Sequence, residues 1–257
     1  MDALLGLLTR IQLPEIFPYL LAILALTLIW KFHDSQVKTG RIQARAIWER
    51  SGVRFFLRIT PNDALACTAC RETTSMVFSP AVVASQKFSP QEKPCINLDG
   101  CRCLMVGLYG GWPEAKRVLK QLKLHIGSVR LADTEVKSLI ENSTQTRVGV
   151  LADRISLRLV HAMWAEGNDR PTAIEHYRYI VDHAKEERDR HFVVPSFLRL
   201  SELLARTGQP DEALTVVERC LQEYGGKKRD PDALTETQRA MLEKRRAALM
   251  ALAKKEA

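Results

Sequence analysis

Two stretches of this 257-residue chain carry the same side-chain pattern forty positions apart. Leu157, Val160, His161, Trp164, Ala173, Tyr177 and Ile180 are matched, offset for offset, by Phe197, Leu200, Ser201, Leu204, Ala213, Val217 and Cys220. Spacings of three and four place the large residues on one face of a helix, a polar turn follows, and the alanine opens the packing face of a second helix. A hairpin of this kind cannot bury its apolar face alone, so neighbouring hairpins must stack. With 46% hydrophobic and 26% charged residues, the composition excludes a disordered or collagen-like chain. Aromatic residues at only 7% do not suggest an all-β protein, so the chain is expected to be mainly α.

Over residues 148–224 the pattern resembles the tetratricopeptide repeat. That resemblance implies an array of helical hairpins whose first helices line a groove for a protein or peptide partner. Arg154, Arg158, His161 and Arg199 are the polar first-helix positions that such a groove would display, although single charges on helices are usually just solvated. His161 departs from the small residue usual at its position, and the repeat spacing is forty instead of thirty-four, with the charged run at 185–191 taking up extra length. Residues 235–254 suit a capping helix that packs through Met241, Leu242, Leu249 and Leu252. Helices opening at Trp112-Pro113-Glu114 and Asp133-Thr134-Glu135 would extend the array, which is assigned to residues 112–257. Cys220 falls on a packing position and reads as a buried apolar residue.

The N-terminal part is different in kind. Residues 16–30 form a run of fifteen without a charge, and extension to residues 13–32 gives twenty residues, about 30 Å of helix. Residues 1–32 are therefore expected to be a transmembrane anchor, with Tyr19 and Trp30 towards the headgroups and no small-x-small cleavage site after the run. Seven basic residues against two acidic ones occupy residues 31–60, while residues 61–225 are neutral overall. By the positive-inside rule this predicts a single-pass membrane protein with its C-terminal domain in the cytoplasm, at the inner membrane in a Gram-negative bacterium. Residues 33–52 read as a basic juxtamembrane helix, a solvated connector or one that touches anionic lipid. A neutral folded middle argues against nucleic acid as a partner.

Five of the six cysteines fall in residues 53–111. Val53, Phe55, Leu57 and Ile59 alternate as in a strand, Thr60-Pro61-Asn62-Asp63 reads as a helix start, and Leu104, Val106 and Leu108 alternate again. Between them run Cys67-x2-Cys70, twenty-four residues, and Cys95-x5-Cys101-x-Cys103. Two thiolates two residues apart reach one ion from a single turn, and C-x-C places two on the same side of an extended chain. The spacing therefore suits a tetrahedral structural zinc site. Cys67, Cys70, Cys101 and Cys103 are the first choice of ligands, with Cys95 as a spare or substitute. So small an α+β module would need the folding energy of a bound metal. Outside the cytoplasm the same cysteines would read as two disulfides and an odd thiol. A thiol redox role for Cys67 and Cys70 and an iron–sulfur cluster are the remaining readings.

Cys67, Cys70, Arg71, Cys101, Arg102 and Cys103 together resemble a short bacterial and phage pattern, C-x2-C-R followed by a proline-bearing loop and C-R-C, found in some phage head-morphogenesis proteins. The resemblance spans residues 66–104 and implies a compact structural knuckle rather than a catalytic site. The whole layout is similar to bacterial membrane-anchored repeat adaptors that regulate envelope assembly, although in those the metal module follows the repeats.

No phosphate-binding glycine loop, dinucleotide fingerprint, H-E-x-x-H helix or nucleophile elbow occurs, so a non-enzymatic protein is expected. His176 and His183 share a helix face and read as solvated. The sequence thus predicts a membrane-anchored protein–protein interaction scaffold with a structural zinc site, the alternative being an accessory subunit of a larger membrane complex.

Overall fold

The computed structural model describes residues 13–61, 63, 66–85, 101–125, 127–142, 151–184, 190–226, 234 and 236–256. The chain divides into two compact units, Met1–Ile47 and Trp48–Ala257. Helix α1, Leu13–Ser51, contains the described residues of the first and ends within the second.

The described side chains of α1 from Tyr19 to Phe32 are exposed, among them Leu20, Ile23, Leu26, Ile29 and Trp30. The expectation of a transmembrane anchor in residues 1–32 is nevertheless overturned. Among the described residues no helix is long and apolar enough to cross a membrane. The uncharged run of fifteen residues rises only about 22 Å, short of the roughly 30 Å hydrocarbon core. Reaching twenty residues brings in Glu15 and Lys31, and the helix continues unbroken into the basic segment. The single-pass membrane localisation and the anchor in the expected fold class fall with it. The side chains of Val37, Ile42, Ala46 and Ile47, expected on the juxtamembrane helix, lie outside the described residues.

The second unit starts with four antiparallel strands: β1, Phe55–Ile59; β2, Met76–Phe78; β3, Leu104–Leu108; and β4, Ser128–Arg130; their spatial order is β3-β1-β2-β4. Phe55 pairs with Leu108, Leu57 with Val106 and Ile59 with Leu104, so the alternating apolar residues of β1 and β3 share one face. That face is buried, as the alternation predicts. The other face of β1 is buried too: Phe56 meets Trp48 edge to face at 4.8 Å, and Arg58 is only 2% exposed. The fourth strand comes from beyond Gly111. The turn into it passes through Gly127 at φ 84°, where a Cβ would lie 2.6 Å from Val82 and 2.8 Å from the Ser79 hydroxyl.

Short helices α2, Thr68–Glu72, and α3, Pro80–Val83, flank β2, while α4, Ala115–Leu124, and α5, Asp133–Asn142, bracket β4. The helix start expected at Thr60 comes later, with Cys67 as the N-cap of α2. Thr60 instead donates its hydroxyl to the Cys70 carbonyl at 2.9 Å, and the Asp63 carboxylate accepts from the Ala66 amide at 3.0 Å.

Five further helices follow: α6, Leu151–Ala165; α7, Arg170–His183; α8, Arg190–Arg206; α9, Pro210–Tyr224; and α10, Glu236–Glu256. Each packs on the next, and α6 also packs across β1 and β3. Of the fourteen repeated positions, all but His161 and Trp164 are at most 1% exposed, which explains why the offsets match. In α10, Leu242 and Leu249 are buried, but Met241 and Leu252 are exposed. Sheet and helices contribute to one continuous apolar core.

Because that core is shared, Phe55→Ala should cost about 3–5 kcal/mol and lower the denaturant midpoint of the helical signal as well as that of the sheet. Urea unfolding followed by far-ultraviolet circular dichroism and, in a background that keeps Trp112 as the single tryptophan of the four, by fluorescence tests this. A change confined to the fluorescence transition would show two separate cores.

Candidate metal centre

Three of the five predicted ligands come together. Cys70 sits in α2, and Cys101 and Cys103 lie in the segment that leads into β3. Their sulfurs all fall within 4.8 Å of one another and could hold a metal ion. Cys70 is 3.6 Å from both Cys101 and Cys103, while those two are 2.6 Å apart. The edge of a tetrahedral zinc–thiolate site is about 3.8 Å, so the first two separations fit and the third would widen by about 1 Å. Cys67, at the start of α2, hydrogen-bonds the Cys70 thiol without joining the group of three. Cys95 lies outside the described residues.

The thiols sit beside a buried cation. Arg58 projects from the face of β1 that it shares with Phe56 and donates from Nη2 to Cys103 Sγ at 2.9 Å, with Cys70 Sγ at 3.9 Å. Burial pushes the Cys70 thiol far above the usual range, helped by its bonds to Cys67, Cys101 and Cys103. Burial also pushes Cys103 up, to about 11, although Arg58 pulls it down. A metal would therefore have to displace protons to bind, and Arg58 would offset part of the negative charge that three thiolates bring.

Arg102, between two of these cysteines, points the other way. Its guanidinium pairs with Asp63 at 2.8 Å, Glu202 at 2.8 Å and Glu166 at 3.2 Å. Glu166, just past α6 and 1% exposed in its side chain, also accepts from Arg199 at 2.9 Å and from the Tyr177 hydroxyl at 2.5 Å. Arg199 in turn donates to the Arg102 main-chain carbonyl. Burial raises the Glu166 carboxyl above its ordinary range against the pull of these partners. At Glu202 burial works in the same direction, but Arg102 and Arg206 outweigh it and hold that carboxyl low.

Arg199, expected in an open groove, is thus buried in this network. Arg158 lies 3.6 Å over the Tyr179 ring and contacts His176 Nδ1 at 3.2 Å. His161 packs on His176 with ring centroids 4.2 Å apart. His176 is 2% exposed rather than solvated, whereas His183 is exposed and stacks on Tyr179. Cys220 is fully buried, as expected, and burial pushes its thiol up to about 12.

Sequence reasoning missed Arg58, Asp63, Glu166 and Glu202 as site residues. Only Arg58 left a local signal, a charge on the even positions of an otherwise apolar strand. Compared with known proteins, the chain matches no family model, no curated protein and no solved structure.

Glu166→Ala should destabilise the protein by about 3–5 kcal/mol at neutral pH, because Arg199 loses its buried partner; a loss below 1 kcal/mol in chemical denaturation would show the network to be idle. Burial and the neighbouring His161 and Arg158 lower His176 to about 4. The unfolded chain therefore takes up this proton first, and the stability it confers is complete above about pH 6.5 and lost as pH falls towards 4. Between pH 7 and 4.5 the wild type should lose roughly 2 kcal/mol more than His176→Gln. Parallel denaturation curves across that range would refute it.

Proposed function

We propose that the chain is a protein–protein interaction scaffold: a tetratricopeptide-like array of helical hairpins that presents a surface to a protein or peptide partner, braced by a structural zinc site in the cysteine module. The observation that carries the metal half is the convergence of Cys70, Cys101 and Cys103 beside a buried guanidinium. A donor set made only of thiols favours zinc among common metals. Cys70, Cys101 and Cys103 would hold the ion, with Cys67, already bonded to the Cys70 thiol, as the fourth ligand. When bound, the metal supplies cross-linking energy to a module whose sheet strands are only three to five residues long.

The array half is supported by two hairpins in which five of the seven equivalent pairs are buried alike and by the sequential packing of α6 to α10. The redox reading loses ground, because a reactive thiol needs a depressed pKa and burial moves Cys70 the other way.

Elemental analysis of the purified chain should find about one zinc per molecule, lost in Cys70→Ser, with the cluster thiols reactive only after chelation and denaturation. Metal-free protein with promptly reactive thiols at Cys101 and Cys103 would rule out the zinc site. For the scaffold, a photo-cross-linker at Arg158 on α6 should capture a reproducible protein partner in the source cell; repeated capture of none would sink that half.

A further inference from the structure

The segment Cys101-Arg102-Cys103 reaches to two sides: the Cys101 and Cys103 sulfurs lie 2.6 Å apart, while the Arg102 guanidinium between them pairs with Asp63 and Glu202 at 2.8 Å. The two outer residues complete the thiol cluster with Cys70. The middle one enters a carboxylate pocket formed by Asp63 of the module and by Glu166 and Glu202 of the helices. Arg199 adds a main-chain bond to the same segment, so the helices grip both the side chain and the backbone of Arg102. Arg102 is thus held by α8 and the end of α6 through side chain and main chain together.

We infer that the face formed by Glu166, Arg199 and Glu202 is a docking site for the arginine-bearing Cys101-Arg102-Cys103 segment of this chain, which fills it with Arg102, and that metal held by Cys101 and Cys103 keeps it filled. This rests on the proposed metal site. The physical reason is preorganisation. An arginine on a loose loop must give up backbone and side-chain freedom to enter the pocket, whereas ligation of the residues on both sides removes that freedom beforehand. Linkage makes the effect reciprocal: whatever factor metal adds to docking, docking adds to metal affinity. Arg102 is therefore a positioning residue for the metal although it cannot ligate it. Loss of the metal would release the segment and uncover a face carrying two carboxylates.

Two measurements on the full chain under reducing conditions test this: zinc affinity by competition with a chromogenic chelator, and amide hydrogen exchange around residues 166–169 and 199–207 with and without zinc. In the wild type, zinc should slow exchange in both stretches by about tenfold or more. Arg102→Gln, and from the opposite side Glu202→Gln, should still bind one zinc but with about tenfold weaker affinity, and zinc should no longer slow exchange there. An Arg102 that only filled space would leave zinc affinity unchanged. If the wild type binds zinc and exchange at the helices does not respond, or if both variants bind zinc as tightly as the wild type, the coupling is wrong and the metal site stands. If the wild type binds no zinc, both fall.

Discussion

Glu166 is a carboxylate placed where almost no water reaches it, and an arrangement of that kind persists only if the charge is paired and its lone pairs are occupied. Its partners come from three directions: Tyr177 on α7, Arg199 on α8 and Arg102 from the cysteine module. The same carboxylate therefore ties the second helix of the first hairpin, the first helix of the second hairpin and the C-R-C segment to one point. Apolar packing supplies most of the stabilisation, through the core that α6 shares with β1 and β3. It does not set registration between module and helices, because apolar surfaces tolerate sliding. The directional bonds around Glu166 do.

A second buried charge organises the opposite side of β1. Arg58 occupies an even position on a strand whose odd positions face the apolar core, which turns its guanidinium towards the thiols. Thiols without a nearby cation would hold their protons more tightly still in so enclosed a place, since burial is the largest influence on both Cys70 and Cys103. A single three-residue segment thus faces a cation-backed thiol cluster on one side and a carboxylate pocket on the other.

How much of this was legible depended on whether a feature is written in local spacing. The hairpins were, because Leu157, Tyr177, Phe197 and Val217 sit at intervals fixed by helical geometry and are buried for that reason. Strands β1 and β3 were legible in their alternating apolar residues, whereas β2 and β4, only three residues long, were too short to show an alternation; the cysteine cluster was legible in its C-x2-C and C-x-C spacings. Glu202 and Asp63 were not, because nothing local distinguishes a carboxylate bound for solvent from one bound for a buried arginine thirty-nine or one hundred residues away. His176 misled for the same reason. On its own helix it looks solvated, and only α6, through His161 and Arg158, closes over it. The apolar run near the N-terminus misled differently: its composition was read correctly, but its uncharged length is too short for the span inferred from it.

What the sequence determined by itself was therefore periodic: which residues form helices and strands, which faces are apolar, and which cysteines lie close enough along the chain to share an ion. Periodicity is enforced by backbone geometry within a few residues, so it can be read without knowing the fold. What only the tertiary structure decided was pairing: Arg58 with the thiols, Arg102 with three carboxylates, and Arg199 with the Arg102 carbonyl instead of an open groove. Such partners are chosen by the low polarity of the interior, where an unpaired charge is too costly to leave, and that condition exists only once the chain has closed around it.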